Sequence, residues 1–435
     1  MLKILLIGSG AREHAIARAI NASAKPHALF CFASSINPGI VPLCAGYLPG
    51  KLDDVAAITH YAQNHDIDFA IVGPEAPLAL GVVDQLAASG IKSIGPTQVL
   101  AQIETSKGFT RDLLSKYQVP GMPEYRRFEA FAPEVVDFLR QLEDQYVIKA
   151  DGLMGGKGVK VAGVHLHDEA AAIEFCQSID GPFVVEEKLV GPEFSLIAFS
   201  DGEHLVHMPA VQDHKLAFVG DTGPNTGGMG SYSDVDHKLP FLRDEDIAEA
   251  MAINQATIDA LRTELGVPYQ GILYGGFMRT QSGVKLIEYN ARFGDPEAIN
   301  LLALLRTDFL AICEAMLSGN LDQCPIEFAS QATVVKYLVP NGYPENPVKG
   351  QAVDLSAVER AHDLYFAAVD QQDSQVIMTG SRAIAVLGVG DTIAEAEQMA
   401  ESLASRIKGP VFYRTDIGTA PLIAQRIQLV ETFLS

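Results

Sequence analysis

The sequence predicts an α/β protein in three parts: a parallel-sheet domain first, a larger middle part of hairpins and glycine-rich loops, and a separate α+β domain last. Three observations carry this. Over residues 1 to about 100, apolar runs alternate with helical segments, which is the βαβ pattern of a parallel sheet. Between 146 and 290, paired apolar runs flank glycine-rich turns. From Ala332 the pattern of strands and helices begins again. A 435-residue chain that is 48% hydrophobic buries a large core and divides into about two to four domains. We place the boundaries so that the domains run 1–105, 106–330, with a small lid at about 122–190, and 331–435.

In order, the N-terminal strands are KILLIG, ALFCFAS, DFAIVG and IKSIG, with an Ala-rich helix after Arg12, a short loop after the second strand and a helix ending at His65. Gly8, Ser9 and Gly10 lie between the first strand and first helix, where backbone N–H groups favour an anion. The dinucleotide fingerprint fails, because its third glycine falls on Glu13 and the second strand ends in Ser34 and Ser35 rather than an acid. Gly73 to Leu78 and Gly95 to Thr97 also follow strands. Loops at the carboxyl ends of parallel strands converge on one crevice, although turn chemistry alone also accounts for each of them.

Ser106 to Lys116 reads as an amphipathic helix, followed by breakers at Pro120, Gly121 and Pro123. YVIKADGLMGGKGVKVAGV then reads as a hairpin whose turn holds Gly152, Gly155, Gly156 and Gly158. It is not a Walker A loop, since Asp151 and Gly158 stand where that motif needs Gly and Ser or Thr. Its N–H groups, with Lys149 and Lys157, suit phosphates; a mobile surface hairpin is the plainer alternative. A strand from Pro182 to Glu193 closes this unit, its Glu186, Glu187 and Lys188 otherwise reading as a solvated edge. Residues 212–233 form a long loop rich in glycine and in polar groups: Asp213, His214, Lys215, Asp221, Asn225 and Thr226. Loops of that length in compact chains are functional or disordered. His214 is read as a hydrogen-bonding group rather than a catalyst. A helical region at 244–265 precedes the strands YQGILYGGFMRT and VKLIEYN, paired around QSG. The C-terminal part shows ATVVKYLVP, the turn-rich NGYPENP, DLYFAAVD, RAIAVLGVG, a helix from Thr392 and FYRTDIG, with no catalytic spacing.

The stretch LIEYNARFGDPE, Leu286 to Glu297, concentrates the chemistry. Side chains two apart on a strand share a face, so Glu288 and Asn290 point together and offer two hard oxygens to a cation such as Mg2+. Arg292 stands close enough to meet an anion held by that metal. A strand edge with solvated charges is the alternative.

Composition narrows the classes. A formal net charge of −22 argues against binding nucleic acid or an anionic membrane through the overall field, so an anionic substrate is held by local groups. The most apolar window, Ala298 to Leu317, contains Asn, Arg, Asp and Glu and reads as a buried helix rather than a membrane span. The start reads as a first strand rather than a signal peptide. Five cysteines without CxxC spacing read as thiols in a reducing cytoplasm.

These motifs together resemble the glycinamide ribonucleotide synthetase family of the ATP-grasp superfamily, whose activity is phosphoribosylamine–glycine ligase. The resemblance rests on GSGAREHA, VGPEAPL, SKGF, IKADGLMGGKGV, VVEEKLVGPE, QDHK, GDTGPNTGGMGSYS, IEYNARFGDPE and YRTDIG, which run over nearly the whole chain. It implies a Rossmann-like N-terminal domain, an ATP-grasp domain with a small lid, and the joining of glycine to 5-phosphoribosylamine through glycyl phosphate, with ATP spent to ADP. By position in the family pattern, Lys107, Lys149 and the hairpin residues Gly155, Gly156, Lys157 and Gly158 would hold ATP phosphates. Glu186, Glu187, Leu189 and Glu193 would line the nucleotide, and Glu288 and Asn290 would hold Mg2+ or Mn2+. Asp213, Arg292 and Asp295 would act on glycine, the acyl phosphate and the amine, with Lys215, Asn225 and Thr226 beside them. Gly10, Glu13 and Glu75 would take the phosphoribosyl end. The family pattern also differs here: Leu216 replaces a basic residue after QDHK, and the second strand is followed by Ile36, Asn37, Pro38 and Gly39 rather than a PGN-type turn. Small-molecule partners, a monomer or small homo-oligomer, and a cytoplasmic setting follow as expectations. A different carboxylate–amine ligase, or a nucleotide-binding protein without turnover, are the competing readings.

Overall fold

A computed structural model describes residues 1–153, 158–359 and 361–433. The N-terminal sheet is parallel throughout, in the order Gly46–Pro49, His27–Ala33, Leu2–Ile7, Phe69–Val72, Lys92–Ile94. Leu2–Ile7 is central, and its alternate residues serve two cores: Leu5 and Ile7 pack into one, Ile4 and Leu6 into the other. A strand covered on both faces is apolar along its covered length, which is why Ile4 to Ile7 lack polar alternation. The strand order reverses between Leu2–Ile7 and Phe69–Val72, and a crevice opens there at Gly8 and Gly73. The strand Gly46–Pro49 lies within what reads as a short loop, and helices Glu75–Ala79 and Val82–Ala88 also went unread.

Ser106 caps the helix Lys107–Lys116 by accepting from the Phe109 N–H at 3.0 Å. The lid is an antiparallel sheet in the order Tyr125–Phe128, Phe183–Glu187, Tyr146–Ala150, Val159–Val161. Its helices Pro133–Gln141 and Glu169–Ser178 close a small core of its own around Phe128, Phe138, Tyr146, Ile148 and Phe183. The expected strand from Pro182 to Glu193 is two strands in two sheets: Phe183–Glu187 lies inside the lid sheet, and Glu193–Asp201 belongs to the central one. Pro192 and Gly191, with φ +159°, fall in the break between them.

The central sheet runs Leu205–His207, Glu193–Asp201, Gln270–Thr280, Gly283–Asn290, all antiparallel. Helices Asp244–Leu265 and Phe309–Ser318 pack against it. The apolar window read as one helix is two, Glu297–Leu304 and Phe309–Ser318. Asp308 divides them: its carboxylate accepts the Leu310 N–H at 2.9 Å and starts a new helix.

The expected long loop at 212–233 is mostly strand. Leu216–Phe218 and Thr222–Asn225 form a hairpin, while Gln212–Asp213 and Gly230–Ser233 join a sheet with Ala332–Pro340, Ile384–Gly390 and Leu364–Phe366. That sheet crosses position 331, so the C-terminal part is joined to the glycine-rich segment through backbone pairing. Helix Ile393–Ala404 packs directly on it; a Cβ at Gly388 would lie 1.8 Å from the Ala396 carbonyl oxygen, so only glycine permits the approach. A further helix, Ala420–Thr432, follows FYRTDIG. The two ends of the chain also meet. The Phe366 N–H donates to His14 Nδ1 at 3.0 Å, and the Asn37 amide donates to both Ser9 O and Phe366 O at 2.8 Å. The crevice at Gly8 and Gly73 is thereby held against the C-terminal sheet.

Candidate active site

A bulge decides where the metal-type residues point. On Gly283–Asn290, Val284 and Leu286 face the core, and strict alternation would send Glu288 after them. The register with the neighbouring strand slips by one residue at Ile287, pairing Leu286 with Phe277 but Glu288 with Gly276. The extra residue inverts the faces. Tyr289 takes the core position, and Glu288 and Asn290 turn to the crevice, where Glu288 keeps 42% of its side chain open. Burial alone would raise the Glu288 carboxyl, but Lys215, Lys149, Lys107 and Arg292 outweigh it and hold it ionised below its ordinary value. Two oxygens on one face of a strand, one of them a stabilised carboxylate, fit a hard cation. Among the described residues no group of three or more His, Cys, Asp or Glu is arranged around a metal, so the remaining ligands of such a cation would be phosphate and water oxygens.

The lid and the elements beside it bring cations to the same place. Lys107 opens its helix, and its ammonium donates to Gly152 O at 2.9 Å; burial lowers its basicity despite Glu288 and Asp151. Asp151 ties the helix to the hairpin by accepting from Ser106 Oγ at 2.9 Å and from the Lys107 N–H at 2.5 Å. Lys149 lies 2.7 Å from Glu186 and donates to the bulge carbonyl of Ile287 at 3.3 Å. Gly158 accepts the Ala150 N–H at 2.8 Å through its carbonyl; Gly155, Gly156 and Lys157 lie outside the described residues. Glu187 accepts the Glu124 N–H at 3.0 Å, and Leu189 follows in the break between the two sheets. Lys215 stands between Glu193 and Glu288, 3.5 Å from each.

Glu186 is not a solvated edge residue. It is buried, and Arg111 grips it in bidentate fashion at 2.7 and 3.0 Å while also donating to Ile287 O at 2.8 Å. Burial would raise its pKa, but Arg111 and Lys149 hold it down to about 2. A carboxyl lowered on folding contributes stability that is complete above its unfolded value and is lost as pH falls through the folded one. The stability advantage of wild type over Glu186→Gln should therefore shrink by about 3 kcal/mol between about pH 5 and 2. Urea midpoints across that range test this, and a pH-independent difference would refute it.

The other half of the crevice gathers around Arg292 and Asp295. Arg292 reaches Glu104 at 2.9 Å, Glu75 at 3.5 Å and, by donation, Asn290 Oδ1 at 3.3 Å. Burial would lower its basicity, but Glu104 and Glu75 outweigh it. Glu13 takes one of the N–H groups at the first helix's N-terminus. Its own carboxylate accepts the Gly10 N–H at 2.5 Å and meets Arg12 at 2.5 Å. A Cβ at Gly73 would stand 2.1 Å from that carboxylate, so Gly8, Gly10 and Gly73 exist to house Glu13. Asp295 faces this corner, its Oδ2 lying 3.7 Å from where a Cβ on Gly10 would stand. Asp213 Oδ1 is shielded from solvent and has no hydrogen-bond partner among the described residues, and burial together with Glu297 pushes its carboxyl well up. Glu297, held by the Tyr274 hydroxyl at 2.9 Å, is raised as well, first by burial. The two acids retain a proton above the usual carboxylate range.

Two expected substrate residues lie on the hairpin that carries Lys215. Thr226 donates its N–H and hydroxyl to Lys215 O at 2.7 and 2.8 Å, and Asn225 is an exposed strand residue paired with Leu216. His214 is buried, and burial first of all holds its imidazole neutral, down to about 3.

Three stretches that span most of the chain match one family in order. Residues 2–104 match the phosphoribosylglycinamide synthetase N domain, 105–298 its ATP-grasp (A) domain, and 333–420 its C domain. The chain belongs to the phosphoribosylglycinamide synthetase family. A phosphoribosylamine–glycine ligase of Methanosarcina barkeri is 48% identical over 428 residues, covering 98% of each chain. That of Methanocaldococcus jannaschii is 47% identical over 439 residues, again covering 98% of each. The crystal structure of phosphoribosylamine–glycine ligase from Thermotoga maritima shares the fold with a TM-score of 0.78 at 27% identity, covering 95% of this chain and 100% of that one. The biotin carboxylase domain of Hydrogenobacter thermophilus 2-oxoglutarate carboxylase, solved with MgADP, shares the fold alone, with a TM-score of 0.71 at 13% identity.

Membership in this synthetase family makes the chain an ATP-dependent ligase of purine biosynthesis with the ATP-grasp fold. No helix among the described residues is long and apolar enough to cross a membrane. The sequence reading missed several groups that shape the synthetase site: Arg111, Glu104, Asp151, Glu297, Tyr337 and Arg382. Glu297 ends the stretch already singled out, so its signal was present. Glu104 and Arg382 sit in unremarkable segments and acquire their roles only through contacts far along the chain.

Proposed function

We propose that this enzyme joins glycine to 5-phosphoribosylamine, forming glycinamide ribonucleotide, ADP and phosphate through glycyl phosphate. One observation carries the reading: a single guanidinium, Arg292, touches Asn290 on the nucleotide side and Glu75 in the N-terminal crevice, so both half-reactions share one centre. A glycine carboxylate oxygen attacks the γ-phosphorus of ATP and ADP departs. The amine nitrogen then attacks the acyl carbon, the C–O bond to phosphate breaks, and the nitrogen loses a proton. Positioning and neutralising phosphate charge are the protein's work in such a transfer.

We assign Lys107, Lys149, Gly158 and the hairpin to the phosphates, and the segment Glu187 to Glu193 to the nucleoside. Mg2+, or Mn2+, would be held by Glu288 and Asn290, where it supplies charge to neutralise the phosphates. Arg292 takes the anionic carboxylate and acyl phosphate. The acids Asp213 and Glu297 suit the ammonium group of glycine, since a cation between them would relieve the cost that keeps them protonated. Asp295, facing Gly10, takes the proton of the attacking amine, with Glu13 and Glu75 on the phosphoribosyl side. In this scheme residues 1–105 hold the amine substrate, 106–330 the nucleotide under the lid at 122–190, and 331–435 close the site in a cytoplasmic enzyme. ADP release that requires both glycine and freshly made phosphoribosylamine is the expected result. Turnover without glycine, or with another amino acid or purine intermediate in preference, would overturn the reading.

A further inference from the structure

We propose that Arg382 is a positioning residue for this ligase: together with Tyr337 it fixes the Asp295 carboxylate and the Gly227–Gly228 turn at the amine end of the site. The inference rests on the assignment of Asp295 to the amine half made above. Arg382 lies in the C-terminal part, just before the strand Ile384–Gly390, where the sequence shows no catalytic spacing. Its Nη1 donates to the carbonyls of Gly227 at 2.6 Å, Gly228 at 3.1 Å and Asp295 at 2.8 Å. Its Nη2 lies 3.4 Å from Asp295 Oδ2, while the Tyr337 hydroxyl donates to Asp295 Oδ1 at 2.5 Å. Among the described residues each oxygen of that carboxylate thus has one partner, and both partners come from beyond residue 331. The guanidinium also stacks over the Tyr337 ring, 4.5 Å from its centroid.

The turn is shaped to this guanidinium. A Cβ on Gly227 would lie 3.1 Å from Arg382 Cζ, and one on Gly228, whose φ is +111°, would lie 2.6 Å from Asp213 Oδ1. One side of the turn therefore rests on Arg382 and the other on Asp213, so a shift of Arg382 would disturb both carboxylates. A planar fork meets three carbonyls and a carboxylate at once; a lysine ammonium at that site has one nitrogen for the same four acceptors. Nη2 and the Tyr337 hydroxyl meet on a carboxylate that faces Gly10, while Nη1 holds the backbone beside it, which is what a positioning role requires and an ordinary cross-link between segments does not.

Arg382→Met, Arg382→Lys and Tyr337→Phe in the full-length enzyme test this with two readouts. The first is kcat and KM with each substrate varied in turn. The second is positional isotope exchange within ATP in the presence of glycine and absence of the amine. Arg382→Met should lower kcat/KM for phosphoribosylamine about a hundredfold, and the two milder variants about tenfold, the range a misplaced reacting group produces. KM for ATP should stay within about twofold and isotope exchange should persist. Should Arg382→Met fail to fold, Arg382→Lys and Tyr337→Phe still decide. Wild-type kcat/KM for the amine in both, or a loss of isotope exchange as large as the loss with the amine, would overturn the proposal. Absence of exchange in the wild type would instead count against glycyl phosphate, leaving the amine kinetics of the variants to judge Arg382.

Discussion

Glu288→Ala is expected to lower ADP release by on the order of a thousandfold, the scale of losing a preorganised charge at a transferring group, while the protein stays folded. The two halves of this expectation have separate causes. The Glu288 side chain is 42% open to the crevice, its ion pair among the described residues is with Lys215 at 3.5 Å, and Lys215 keeps Glu193 when Glu288 is gone. Substitutions at such positions change stability by about 0.5 kcal/mol or less. Activity is another matter, because Lys107, Lys149 and Lys215 cannot bind a metal, and the variant would have only Asn290 on that face. ADP release across a Mg2+ titration, beside thermal melts, gives both numbers. Near-normal turnover at ordinary Mg2+ would reject the metal assignment.

Arg292→Met should fail on both counts, losing turnover and about 3–5 kcal/mol of stability. The stability loss comes from Glu104, whose side chain is 5% exposed and would be left buried without its cation. Adding Glu104→Gln removes that uncompensated charge, and the Ala291 N–H that now donates to Glu104 at 2.8 Å would still find an amide oxygen. The double variant should therefore regain most of the stability and none of the turnover, a coupling expected of residues in direct contact. Urea unfolding with ADP release measures it. An active double variant would mean that Arg292 serves only to neutralise Glu104.

Such outcomes turn on contacts of very different sequence range, and range is what separates the legible from the hidden. The parallel sheet was readable because each of its strands is a short apolar run, and burial on both faces acts on each run by itself. The lid hairpin and the pair of strands around QSG were readable because their turns are local. The same locality misled elsewhere: the apolar window from Ala298 conceals a break at Asp308, and the glycine-rich stretch conceals strands whose partners lie past residue 331.

The sequence by itself determined the fold class, the family and the stretch from Glu288 to Asp295, since these depend on residue types at short spacing. Tertiary structure alone decided how that stretch is used. A register slip opposite Phe277 turns Glu288 to the crevice, Arg111 reaches Glu186 across 75 positions, and Arg382 reaches Gly227 across 155. No local pattern encodes those pairings, because a guanidinium in the dry interior is held by whichever carbonyls and carboxylates the fold brings within about 3 Å of it.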